Sequence, residues 1–157
     1  SKSVVSVHVR RGDYLKMENL YPFCGKKYYK NSMKLFDEDT LFLIFSDDMN
    51  WCQNNIKSNN IRYVETRKLK TPVDKFFKEG VKNNCNQENQ WVDLILMSKS
   101  NHNIISNSSF SWWGSWLNKN PKKRVIAPQK WFGDSFKKQN VFQEDLYETS
   151  WEIMPTD

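Results

Sequence analysis

The sequence predicts an α/β protein, an open parallel sheet with helices on both faces, and three observations carry that prediction. Short runs rich in β-branched and aromatic residues recur along the 157 residues. Segments of helical length and apolar spacing separate them, giving the order β-α-β-α-β-α-β-α-β. The runs are apolar almost throughout instead of alternating, as strands covered on both faces are.

Ser3–Val9 (SVVSVHV) reads as the first buried strand and stops abruptly at Arg10, Arg11 and Asp13. A loop through Pro22 leads to a helix over Lys26–Phe36. Leu41–Phe45 (LFLIF) is the second strand, closed by the polar turn Ser46-Asp47-Asp48, where either aspartate can cap a helix over Met49–Ile56. Ile61–Val64 is a third, short strand, and residues 65–87 show no period and read as loop. Gln90–Ser98 predicts a helix, Asn103–Ser106 a strand, and Ser108–Leu117 a turn running into a helix. Arg124–Ala127 is the fifth strand, stopped by Pro128. Beyond Trp131 the one expected element is a terminal helix.

Composition narrows the function classes. Hydrophobic residues make up 38% and charged residues 27%, the balance of a globular chain and not of a disordered one. A net charge of +6 admits an anionic partner, but most basic residues are lysines scattered among polar neighbours, as on a solvated surface. Cys24, Cys52 and Cys85 lie far apart with no CxxC pair, so reduced structural thiols are expected and no metal site. The sequon Asn107-Ser108-Ser109 falls inside the densest motif and reads as buried or ligand-facing.

Polar clusters follow three of the strands, and in open α/β sheets ligands bind at the carboxyl ends of strands. In the first cluster, His8 and Arg10 are two apart and share a side of the strand. Arg10 can grip a diphosphate with its fork of donors, and Gly12 allows a tight turn. Asp13 can hold an arginine or tyrosine or accept a proton, and an Arg–Asp pair that merely ties a loop is an equal alternative. An integrin-type reading of Arg11-Gly12-Asp13 is disfavoured because the triplet follows a buried strand directly. In the second cluster Asp48 reads as the helix cap, while Asp47 is balanced between a cap and a sugar-hydroxyl acceptor. The third cluster, Ile104–Asn118 (IISNSSFSWWGSWLN), runs from a strand through small hydroxyl residues into a helix. It offers N–H groups, serine hydroxyls and a helix dipole to a phosphate without a Walker loop or GxGxxG. The alternative there is a serine cap on a structural helix. Trp112 and Trp116, like Trp113 and Leu117, are four apart and expected to pack along that helix, with sugar stacking as the second role. His102 reads as an ordinary, partly buried residue.

Taken together, HVRRGDY, FSDD, DLILMS and NIISNSSFSWWGSWLN followed by VIAPQKWF resemble glycosyltransferase family 11, the α-1,2-fucosyltransferases, from Val4 to about Phe132. The resemblance implies one Rossmann-like GDP-fucose-binding domain over residues 1–157, the C-terminal half of a two-domain GT-B glycosyltransferase, with the acceptor-side N-terminal half lying elsewhere. It implies that Arg10 holds the β-phosphate of GDP-fucose, with His8 beside the nucleotide and Gly12 in the same loop. Asp93 would accept hydrogen bonds from guanine, Ser108, Ser109, Phe110 and Ser111 would surround the diphosphate, and Asp47 would sit near the ribose or fucose. Ser109 follows Asp93 by sixteen positions, a spacing shared with the related α-1,6 enzymes.

The implied reaction is inverting transfer of L-fucose to the 2-hydroxyl of a galactose-containing acceptor glycan. No metal and no cofactor are expected, because Arg10 and the serine turn would steady the departing diphosphate; Asp13 is a candidate base. Two other classes stay open: a non-catalytic nucleotide- or glycan-binding module, and a basic nucleic-acid-binding domain. Arg10 and Arg11, set together in one loop rather than along a helix, favour the enzyme over the last. No apolar run of 18 residues is present, and the chain has no initiator methionine, so it reads as cut from something longer. The expected compartment is cytoplasmic or membrane-associated (a Golgi membrane if eukaryotic), not free secretion.

Overall fold

A computed structural model describes residues 2–66, 90–137, 141 and 143–156. Six strands form one parallel sheet: β1 Val4–Val9, β2 Leu41–Ser46, β3 Ile61–Tyr63, β4 His102–Ile104, β5 Val125–Pro128 and β6 Glu152–Met154. Their spatial order is β3-β2-β1-β4-β5-β6, so the chain winds outward from β1 in one direction and then in the other. This Rossmann-like topology puts the switch point between β1 and β4, where a crevice opens beyond the strand ends. The register there is Val5 opposite His102, Ser6 opposite Asn103 and Val7 opposite Ile104.

Alternation along the strands sorts side chains onto two faces. Val5, Val7 and Val9 share one face with Ile44, Ile104 and Ile126, under Tyr28 and Tyr29 of helix α1 (Lys26–Met33) and Cys52 of α2 (Met49–Asn55). The opposite face is apolar near β5, where Val125 and Ala127 pack with Ile105, Trp131 and Trp151. At β1 and β4 the same face is polar. Asn103 donates to Ser6 Oγ (2.7 Å) and to the Met97 carbonyl (2.8 Å), tying the sheet to α3 (Gln90–Lys99). Asn118 donates to Asn103 Oδ1 and the Ser100 carbonyl, both 2.8 Å, which ties in the end of α4 (Ser109–Trp116). Gly114 lets the two helices lie close, since a Cβ there would stand 3.0 Å from Met97 Cβ.

The expected elements appear with shifted ends and one change of type. The Lys26–Phe36 helix ends at Met33, and Leu35 and Phe36 close it with tighter bonds to the Ser32 and Met33 carbonyls. The fourth strand covers His102–Ile104 instead of Asn103–Ser106, because Ser106 and Asn107 already turn toward α4; Ile105 N–H still reaches the Ile126 carbonyl at 2.9 Å. Pro128 is the last residue of β5, opposite Met154. Among the described residues the terminal helix is not found. A one-turn helix α5 (Asp134–Lys137) follows Trp131, and the chain returns as the edge strand β6 beside β5. Arg124 fastens that strand with a bidentate pair to Glu152 (2.7 and 2.9 Å). Most of the 65–87 loop, and Cys85 with it, lies outside the described residues. Cys24 and Cys52 are free and buried. Among the described residues no helix is long and apolar enough to cross a membrane.

Candidate active site

A cleft of about 520 Å³ opens at the β1–β4 switch point. Its walls include His8, Arg10, Asp13, Asp47, Asp93, Ser108, Ser109 and Phe110, so eight of the ten residues singled out from sequence meet there. Gly12 and Ser111 do not line it. A Cβ on Gly12 would come within 2.7 Å of Asp47 Oδ2, which explains the glycine sterically. Ser111 is buried under the turn, and its hydroxyl donates to the Ser108 and Ser106 carbonyls (3.2 and 3.4 Å) instead of facing the cleft.

Arg10 leaves the end of β1 and is held by two carboxylates, Asp13 at 2.9 Å and Asp47 at 3.3 Å, with its guanidinium 5.6 Å from the Tyr14 ring centre. Asp47 also accepts the Arg11 backbone N–H at 2.9 Å. Asp48, not Asp47, caps α2 by accepting from Trp51 N–H at 3.0 Å. The neighbouring arginines therefore differ in kind. Arg11 is buried between Trp51 and Phe23 (4.2 and 4.8 Å to the ring centres) and paired to Asp48 at 3.3 Å, so it belongs to the framework.

His8 is buried, with Nδ1 2.8 Å from Ser106 Oγ and its ring 5.5 Å from Phe110. Burial first, and then the charge of Arg10, lower its pKa to about 3, so the imidazole is neutral at physiological pH. It can offer a ligand a hydrogen bond but no charge.

The serine turn opens into α4 at Ser108, whose side chain makes no capping bond. The first N–H groups of an α-helix have no intrahelical partner, so this end is a ready anion site. Asn107 pins the turn from behind. Its side-chain amide donates to the Pro22 and Trp131 carbonyls (2.6 and 3.0 Å), which keeps the sequon asparagine 1% exposed. Asp93, in the first turn of α3, lies on the far wall and accepts from Thr66 Oγ1 at 2.6 Å.

Sequence reasoning missed an aromatic wall. Tyr14, on the one-turn 3-10 helix Asp13–Lys16, stacks on Tyr21 with centroids 5.1 Å apart, and Tyr21 meets Phe132 and Phe136. Tyr14 donates to the Asn107 carbonyl at 2.9 Å, and burial raises its pKa to about 12, so it stays a phenol. No spacing signal marks these residues, because two separate connections, from β1 to α1 and from β5 to β6, supply them. The tryptophan pairs divide. Trp112 and Trp116 stack (5.3 Å, 11°), and Trp112 packs against Trp151. Trp113 and Leu117, expected to pack, are 51% and 42% exposed, and Trp116 is 43% exposed outside its stack on Trp112, so Trp112 alone of the four is partly buried. His102 is half-buried at the opposite end of the sheet, where it accepts the Arg124 N–H at 2.9 Å.

Comparison with known proteins gives the chain a family and relatives. A family model described as glycosyl transferase family 11 matches residues 1–154. The chain is similar to the O-antigen biosynthesis glycosyltransferase WbnK of Escherichia coli, with 33% identity over 86% of this chain and 41% of that protein. It is similar to an alpha-1,2-colitosyltransferase of Escherichia coli, with 34% identity over 82% of this chain and 41% of that protein. With galactoside alpha-(1,2)-fucosyltransferase 1 of Homo sapiens it shares 27% identity over 74% of this chain and 29% of that protein. The chain thus spans about two-fifths of the length of the two bacterial relatives. No solved structure matches.

Proposed function

The chain belongs to glycosyltransferase family 11, and from that premise we propose that it is the donor-binding, C-terminal half of a GT-B galactoside α-1,2-fucosyltransferase. One observation carries the reading: Arg10, the uncapped start of α4 and Asp93 line a single cleft at the switch point of the sheet. GDP-fucose suits that set. Arg10 and the N–H groups of Ser109 and Phe110 receive the diphosphate, while Asp93 accepts from the guanine edge. His8 contributes a neutral hydrogen bond beside it.

The chemistry follows from the charge that develops. Fucose leaves a β-linked diphosphate and ends in an α-linkage, so attack comes from the opposite face through an oxocarbenium-like transition state. Negative charge grows on the departing phosphate as the bond breaks. A charged donor and a helix terminus fixed in place stabilise it without reorganising. Each charge-assisted hydrogen bond contributes about 1.5–3 kcal/mol, so Arg10 with two or three N–H groups supplies a large part of that stabilisation without a metal. Asp13, half-exposed at the mouth of the cleft, is the candidate to take the proton from the acceptor hydroxyl. The rest of the full-length enzyme holds the galactose-containing glycan.

A second reading concerns the sugar alone. Identity to the protein named a colitosyltransferase, 34%, exceeds the 27% to the human fucosyltransferase, which favours colitose as the transferred sugar. Both readings share the cleft and the roles above.

Calorimetric titration of the chain with GDP, with ADP and UDP as controls, tests the donor assignment. Selective GDP binding that is lost in Arg10→Ala is expected. Equal binding of the three nucleotides, or none, would overturn it. Competition between GDP-fucose and the corresponding colitose nucleotide, in the chain joined to a relative's N-terminal half, separates the two sugars.

A further inference from the structure

The two carboxylates on Arg10 are held very differently, and we infer that they have different parts: Asp47 positions the guanidinium, whereas Asp13 occupies the anion site and is displaced by the incoming diphosphate. The inference rests on the donor reading of the cleft.

Asp47 is built in. Its side chain is 15% exposed, one oxygen accepts the Arg11 backbone N–H at 2.9 Å, and the other faces Arg10 at 3.3 Å. The surface of Gly12 closes over that second oxygen. Moving Asp47 would break a backbone hydrogen bond and uncover the turn. Asp13 has none of these restraints. Its side chain is 52% exposed, and among the described residues its one hydrogen-bonded partner is Arg10, at 2.9 Å. It opens the one-turn 3-10 helix Asp13–Lys16, in which no residue is buried. The nitrogens they use also differ: Asp47 meets Nη1, while Asp13 meets Nη2.

A carboxylate and a phosphate accept from a guanidinium in the same way, and two anions side by side on Nη2 repel one another, so they compete for it. The phosphate brings more charge and the N–H groups of α4 besides. An exposed ion pair is weak, so Asp13 gives way at little cost. Asp47 stays and keeps the fork aimed. The exchange has a second effect: the Asp13 carboxylate loses its cation as the donor arrives, and so becomes available to the acceptor's proton only when donor is bound.

The test is titration of the chain and its variants with GDP and, separately, with inorganic pyrophosphate, which probes the anion site alone. Asp13→Asn is expected to bind both about three- to fivefold more tightly than wild type, because an exposed competing pair of this strength is removed. Asp13→Glu, which keeps the competing charge, should stay near wild type. Asp47→Asn should bind both about tenfold more weakly at an unchanged melting temperature, and in an Arg10→Ala background neither substitution should alter binding further. Weaker or unchanged binding by Asp13→Asn would overturn the exchange while leaving the donor reading intact. Tighter pyrophosphate binding by Asp13→Asn without preference for GDP would uphold the exchange and overturn the donor reading. If neither ligand binds the wild-type chain, both fall.

Discussion

His8 Nδ1 lies 2.8 Å from Ser106 Oγ, joining the end of β1 to the turn that leaves β4. That contact bridges the two strands between which the sheet changes direction, and it is buried. A histidine with a pKa of about 3 costs stability in acid. The unfolded chain takes up a proton near pH 6.5 and the folded chain does not until about 3, so the stabilisation is complete above 6.5 and is lost as pH falls toward 3. Melting temperature measured from pH 7 to pH 4 should fall in wild type, with a slope of up to about 1.4 kcal/mol per pH unit from this group. His8→Asn should flatten that limb by about one proton. An identical slope in the variant would place the acid sensitivity elsewhere.

Adjacent arginines should respond in opposite ways. Arg10→Ala removes a side chain 35% exposed and leaves Asp47 without its cation, so it is expected to cost about 0.5–1.5 kcal/mol, while GDP affinity drops tenfold or more. Arg10→Lys should recover little of that affinity, since an ammonium lacks the planar fork. Arg11→Ala instead empties the slot between Trp51 and Phe23 and strips Asp48 of its partner. It should cost about 2–4 kcal/mol in urea unfolding. Equal stability loss in both alanine variants would contradict the division of labour.

Gly133 packs against the backbone of Asn19, and any Cβ would collide with the Asn19 carbonyl. The obstacle is main chain and cannot rotate away. Gly133→Ala should therefore push the Tyr21 loop off the Phe132 loop, at about 1–3 kcal/mol or more. Loss of the Tyr21–Phe132 ring-to-ring cross-peaks in NMR spectra would accompany it; unchanged cross-peaks would argue against the collision.

Asn107→Ala leaves the Pro22 and Trp131 carbonyls without their donor in a buried place. Two unmet groups at about 1–3 kcal/mol each predict one of the larger single-site losses in the chain. Asn107→Asp should be no better, because a carboxylate would face two carbonyl oxygens. Urea midpoints for the two variants check this.

The frame of the fold was readable because its signals are local. Leu41–Phe45 is a continuous apolar run with a polar stop, and Val4–Val9 is all valine but for Ser6 and His8; such runs specify central parallel strands. The edge strand Glu152–Met154 was not readable: it has three residues with Ile153 half-exposed, and its identity comes from pairing with β5. The cleft divides in the same way. Arg10, Asp47 and the serine turn stand out because each sits at the end or the start of a predicted element, whereas Asp93 enters through the family resemblance alone. Which oxygen meets which nitrogen lies beyond sequence, and Asp47 shows it: a cap and a ligand contact were both reasonable, yet the structure aims this side chain at Arg10. Tyr14, Tyr21 and Phe132 come together through tertiary packing of loops that no periodicity marks.

The parallel rings of Trp112 and Trp116, with Trp151 tilted against the first of them, give this protein its own optical probe. Indoles stacked at 5.3 Å couple their electronic transitions, so the near-ultraviolet circular dichroism of the chain should be strong and should vanish when the rings separate. Because Trp112 and Trp116 lie on α4, whose first turn lines the cleft, that signal reports from an element of the cleft wall. On the proposed function, donor binding is then followed without a label, by light absorbed within α4 itself.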